Sequence, residues 1–169
     1  KNEESEILKW RLDPSQCGPS MILAEIGTHA HHLLRYVTDL EVNEVSAEVS
    51  SLSSEISVDD NAFLILRMNN KARASIWVSS AATGGENGLK IRVYGTKGAL
   101  EWFQDDPNNL KFTELNKPTQ IITRASSTVS DFSIRSSRIA AGHPEGFFEA
   151  FANIYTEFAD SIDDFKKNT

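Results

Sequence analysis

The chain is poor in cysteine and lacks long apolar runs, blocks of positive charge and glycine-rich nucleotide loops. Its single cysteine, Cys17, excludes an internal disulfide and fits a reducing compartment, so a cytoplasmic location is expected. No apolar stretch approaches the roughly 20 residues that a membrane-spanning helix needs. The opening KNEESEILKW has no apolar core of a secretory signal. Lys and Arg total 17 against 24 Asp and Glu, a formal net charge of −7. A protein that grips a phosphate backbone needs clustered cations, so neither nucleic acid nor membrane is an expected partner. The glycine-dense GGENG (84–88) runs into a strand pattern. It is therefore a turn, because a dinucleotide loop follows a strand and opens a helix.

The 169 residues match one ordinary domain, and a single domain over 1–169 is expected. EILKWRL (6–12) reads as a short strand. DPSQCGPS (13–20) reads as a loop, with Ser20 placed to cap the next helix. Ile22, Ile26, Leu33 and Val37 recur at helical spacing and predict an amphipathic helix ending near Asp39. Gly27 in its middle costs about 1 kcal/mol against Ala, which points to a close approach at its backbone.

From residue 44 the period changes to two. Val45, Ala47 and Val49 alternate with Ser46, Glu48 and Ser50. Strands are predicted at 62–68 and 72–80 across Asn69-Asn70-Lys71, at 89–95 and 98–104 across a Gly-Thr-Lys-Gly turn, and at 110–115 and 119–123. Hairpins of this kind make an antiparallel sheet. A Ser-rich connection follows over 125–142. Phe147, Phe151, Ile154, Phe158, Ile162 and Phe165 then form a helical stripe expected to pack on the sheet. The opposite sheet face carries Ser46, Glu48, Ser50, Arg73, Ser75, Trp77, Ser79, Arg92 and Tyr94; a polar face with aromatic insertions is either wet or a subunit interface.

Three of the four histidines and a carboxylate fall within AEIGTHAHHLLRYV (24–37). At about 100° per residue, Glu25, His29 and His32 share a face and His31 points away. Three chemistries compete. A metal would need a ligand beyond one helix, with His143 the remote candidate. An acid–base site uses a carboxylate to hold and tune an imidazole. The third reading is the polar edge of a half-buried helix.

WRLDP (10–14), ILAEIGTHAHHLLRYVTDLEV (22–42), NGLKIRVYGTKGALEW (87–102) and GHPEGFFEAFANIY (142–155) together resemble the C-terminal domain of the Gfo/Idh/MocA oxidoreductases, relatives of glucose–fructose oxidoreductase and inositol 2-dehydrogenase. The resemblance implies an α+β domain, like the C-terminal domain of glyceraldehyde-3-phosphate dehydrogenase, with a large, mainly antiparallel open sheet and helices on one face. It implies NAD or NADP bound by a separate N-terminal Rossmann domain that this chain lacks, a small carbohydrate substrate, and a homo-oligomer formed through the sheet. By the same resemblance His29 matches the proton-transfer histidine, and Glu25 stands where Asp is usual. Arg11, Asp13, His32 and His143 fall at substrate-facing positions. Neither a metal nor a cofactor is expected on this chain, and alone it is expected to be inactive. The alternative is a catalytically inert carbohydrate-binding or oligomerisation module.

Overall fold

Alternating side chains are what a half-buried strand requires, and the predicted alternations become strands nearly residue for residue. The computed structural model describes residues 9–53 and 56–168. The strands are β1 (Val42–Ser50), β2 (Asn61–Met68), β3 (Arg73–Ser79), β4 (Lys90–Tyr94), β5 (Gly98–Phe103), β6 (Asn109–Glu114) and β7 (Gln120–Thr123). The helices are α1 (Pro14–Cys17), α2 (Thr28–Thr38), α3 (Asp131–Ser136) and α4 (Phe147–Lys167). All strand pairings are antiparallel. They form two sheets, β1-β2-β3 and β4-β5-β6-β7. The chain falls into two units, Lys1–Glu86 and Asn87–Thr169. No described helix is long and apolar enough to cross a membrane.

In the first unit, Ala62, Leu64, Leu66 and Met68 of β2 and Ile76 and Val78 of β3 are buried with Ile22. Leu23, Ala30 and Leu34 of the first helical segment pack against this cluster. The predicted stripe is therefore rotated. Ile22 is inside, but Ile26 and Val37 are about 40% exposed. The cause is a π turn, Leu23–Gly27, that leads directly into α2. A π turn closes i→i+5 hydrogen bonds and puts the residues before it out of phase with those after it. α2 ends at Asp39, whose left-handed φ of 54° directs its N–H to the Arg35 carbonyl.

On the outer face of this sheet, register sets Glu48, Phe63 and Trp77 in one row. The Phe63 and Trp77 rings stack with centroids 5.7 Å apart, and both are at least half exposed. The indole N–H donates to Asn61 Oδ1 at 3.0 Å.

Two expectations are corrected. Residues 9–12 of the predicted first strand form a 3-10 turn, and residues 6–8 lie outside the described ones. Trp10 and Arg11 are neighbours in that turn, and the guanidinium stacks over the indole at 5.5 Å. The aromatic stripe of α4 is not a packed core face: no residue of α4 is buried, and Phe147, Ile154 and Phe158 are 60–67% exposed. Helical period shows that a face needs cover, not what covers it.

In the second unit, Gly98 opens β5 where a Cβ would lie 2.5 Å from the Thr113 carbonyl oxygen. Only glycine lets β5 and β6 pair there.

Candidate functional site

The helix that carries the histidines is fixed at its start by a residue 38 positions away. Asp59 accepts from the Met21 N–H, from the Leu23 N–H at 3.0 Å and from the Ser20 hydroxyl at 3.0 Å. Ser20, expected to be the cap, is instead a donor to the real one. Burial disfavours the charge on Asp59, yet the donors Leu23, Met21 and Ser20 outweigh it and hold its pKa below the ordinary 3.8. Its neighbour Asp60, 1% exposed, accepts from the Leu52 and Ser53 N–H groups at 2.7 and 2.9 Å. Both acids were missed from sequence. Their only signal was an Asp-Asp pair directly before an apolar strand.

The π turn then presents Glu25. Its carboxylate pairs with Arg11 Nη2 at 2.9 Å, joining the 3-10 turn to the helix. The Arg11 Nε–H is buried and finds no acceptor among the described residues. Gly27 is buried, and a Cβ on it would come within 2.7 Å of Leu23 Cδ1. The close approach expected at Gly27 is thus the side chain of Leu23.

His29 occupies the first turn of α2 and is exposed. No hydrogen bond joins its ring to Glu25 or to any other described residue, so the carboxylate is paired with Arg11 instead. His32 is also exposed and its ring lies 6.4 Å from that of Tyr36. Asp13 caps α1: one oxygen accepts from the Ser15 N–H and hydroxyl, the other from Gln16. The Ser15 hydroxyl, the Gln16 amide and the Ser15 N–H hold its pKa low. Among the described residues no three His, Cys, Asp or Glu side chains converge as a metal site would require.

His143 belongs to the second unit. Its side chain is exposed and its carbonyl accepts from Arg124 Nη2 at 2.9 Å. Glu145, in the same His-Pro-Glu segment, is buried and pairs with Arg124. Sequence reading passed over Arg124, which stands alone among polar residues after β7.

The family model for the GFO/IDH/MocA C-terminal domain matches residues 2–101. The chain belongs to this family. The uncharacterized oxidoreductase YfiI of Bacillus subtilis (strain 168) is 33% identical over 161 residues, which is 94% of this chain and 41% of that protein. An oxidoreductase of Sinorhizobium meliloti superposes with a TM-score of 0.83 at 44% identity, over 86% of this chain and 43% of its own. An inositol dehydrogenase homologue of Azotobacter vinelandii, solved with NADH and myo-inositol, gives a TM-score of 0.88 at 32% identity, over 96% of this chain and 42% of its own. The chain therefore spans about two fifths of the length of these relatives. They are oxidoreductases, and the α+β fold of antiparallel sheets and helices is theirs.

Proposed function

We propose that this chain is the substrate domain of an NAD(P)-dependent oxidoreductase acting on a sugar, polyol or related carbohydrate, with His29 in proton transfer. The observation that carries the proposal is an exposed imidazole one turn after an ion-paired carboxylate, on the helix of a chain from an oxidoreductase family. Oxidising a carbinol to a carbonyl removes a C–H with its electron pair, and the O–H proton must go to a base in the same event. An imidazole reachable from solvent can take that proton. Glu25 is held by Arg11 one turn before His29 on the same helical segment. Arg11, paired with Glu25 through Nη2, is proposed to face substrate beside that helix. His32 and Asp13 are proposed to face substrate from the same unit; His143, in the second unit, is proposed separately as a substrate contact. Both Asp13 oxygens are already engaged locally, so its part is to shape the turn beside Arg11.

The residues present do not fit a dinucleotide. The glycines at 84–88 lie in a turn followed by β4, with no helix start to receive a pyrophosphate. NAD or NADP, which would accept the hydride, is proposed to be held by the rest of a longer, cytoplasmic protein. Accordingly, the 169-residue chain incubated with NAD(H) or NADP(H) and polyols, myo-inositol first, is expected to give no turnover. A measurable rate would overturn this division of labour.

The second reading, an inert binding or assembly module, draws on the outer face of the β1-β2-β3 sheet. Glu48, Asn61, Phe63 and Trp77 border a depression of about 360 Å³ there, and Ile65 is 61% exposed. We place the homo-oligomer contact on this face in either reading, because exposed aromatic surface of this kind gains most from being covered. Trp77→Glu is expected to convert the oligomer to monomers in sedimentation. An unchanged mass, or a monomeric parent, would remove the face from the assembly.

A further inference from the structure

Among the described residues of the second unit, Arg124 joins several segments through one side chain. It follows β7 directly, and its guanidinium is largely buried, with 16% of the side chain exposed. Nε donates to Asn108 Oδ1 at 3.1 Å. Nη1 donates to the Ile139 carbonyl at 2.8 Å. Nη2 donates to the carbonyls of Ala140 at 3.2 Å and His143 at 2.9 Å. The remaining partner is the buried carboxylate of Glu145, which also accepts from the Arg138 N–H at 2.6 Å. Asn108 Oδ1 closes the circuit by accepting from the Glu145 N–H at 3.1 Å.

We propose that Arg124 is the positioning residue of His143, fixing the backbone of the 139–145 loop and with it the place from which the exposed His143 imidazole is presented. The proposal rests on the reading of His143 as a substrate-facing residue. Three consecutive-region carbonyls turned onto one cation are an arrangement that only a planar fork can satisfy. A guanidinium carries five N–H donors in fixed geometry, whereas a lysine offers one flexible point charge. The loop gains nothing from such convergence unless its conformation matters, because an exposed loop is normally satisfied by water. The buried Glu145 makes the device all-or-none: without its cation it is an unpaired charge in the interior. A binding side chain on a loop needs this kind of support to be held in place.

Arg124→Lys is the test, since it keeps a charge for Glu145 and removes the fork. The chain has four histidines, so selectively labelled imidazoles give four resolvable signals. The His143 signal is expected to move and broaden while those of His29, His31 and His32 stay in place. Four unchanged signals, or four that shift together, would overturn the proposal. In the full-length enzyme the same variant is expected to raise the polyol KM roughly tenfold with kcat within about twofold, as misplacement of a binding group does. Adding His143→Ala should then raise KM no further; a multiplicative rise would show that the two residues act separately and would overturn the coupling. If Arg124→Lys fails to fold, Asn108→Ala, which removes only the Nε and Glu145 N–H acceptor, is read by the same signals. A normal KM in His143→Ala alone would end the substrate role of His143, while the imidazole spectra would still decide whether Arg124 positions it.

Discussion

His29→Gln in the full-length enzyme is expected to lower kcat by about 10²–10⁴-fold, the usual worth of a positioned general acid or base. The size follows from where the interaction is made. The hydroxyl of a bound polyol needs no base in the ground state. It needs one only as the C–H bond breaks, so kcat and kcat/KM fall together and KM changes little. Glutamine keeps a hydrogen-bonding atom but cannot take a proton, which separates chemistry from contact. Folding should be spared, because the ring is exposed and has no hydrogen bond among the described residues. Steady-state kinetics with a melting curve on the same sample checks both halves. A variant within tenfold of the parent would take His29 out of the proton path. Loss of activity together with the fold would leave the role to be read from the pH profile of His29→Asn.

Asp59→Ala has the largest expected effect on stability, about 3 kcal/mol, from hydrogen bonds to a charged acceptor and a lost helix cap. Alanine leaves the Met21 and Leu23 N–H groups without the carboxylate they now share. That corresponds to a fall in Tm of roughly 10 °C for a chain of this size. The carboxylate also links stability to pH. Its folded pKa lies below the ordinary 3.8, so the folded state binds its proton more weakly than the unfolded one. Its contribution is therefore complete above that ordinary value and is lost as pH falls through the folded one. Melting curves from pH 6 down to pH 2.5 should show the parent and Asp59→Ala converging at the acid end. Parallel curves across that range would mean that Asp59 is not the anchor. Asp59→Asn, which retains one acceptor oxygen, is expected to fall between the two.

The strands were legible because period-two alternation depends only on neighbours along one chain. β2, predicted at 62–68, runs Asn61–Met68, and β3, predicted at 72–80, runs Arg73–Ser79. What alternation does not reveal is where one ladder stops, and the seven described strands form two sheets. The helix was legible as a helix, but its buried face was not. The prediction assumed about 100° per residue throughout, and the π turn breaks that rule between Ile22 and Thr28. At the site, pattern placed His29 on a helix, and its exposure is read from the structure. The pairing of Glu25 with Arg11 rather than His29 was not legible, since it joins segments 14 residues apart through a turn misread as a strand. Asp59 and Arg124 escaped for a related reason: their partners are backbone groups of distant segments, and backbone groups leave no mark in composition.

The five residues Leu23–Gly27 make their segment sensitive to length rather than to chemistry. A helix accommodates a π turn by carrying one residue more than the regular spiral needs. Loss of Leu23, Ala24, Ile26 or Gly27 would let the spiral close normally, turning everything upstream about 100° around the axis relative to His29. The Arg11–Glu25 pair would then stand at a different angle to His29, although no charged residue had been altered. Among relatives of this protein, a one-residue gap here would therefore mark a re-set geometry around the proposed proton-transfer histidine more surely than any exchange of letters.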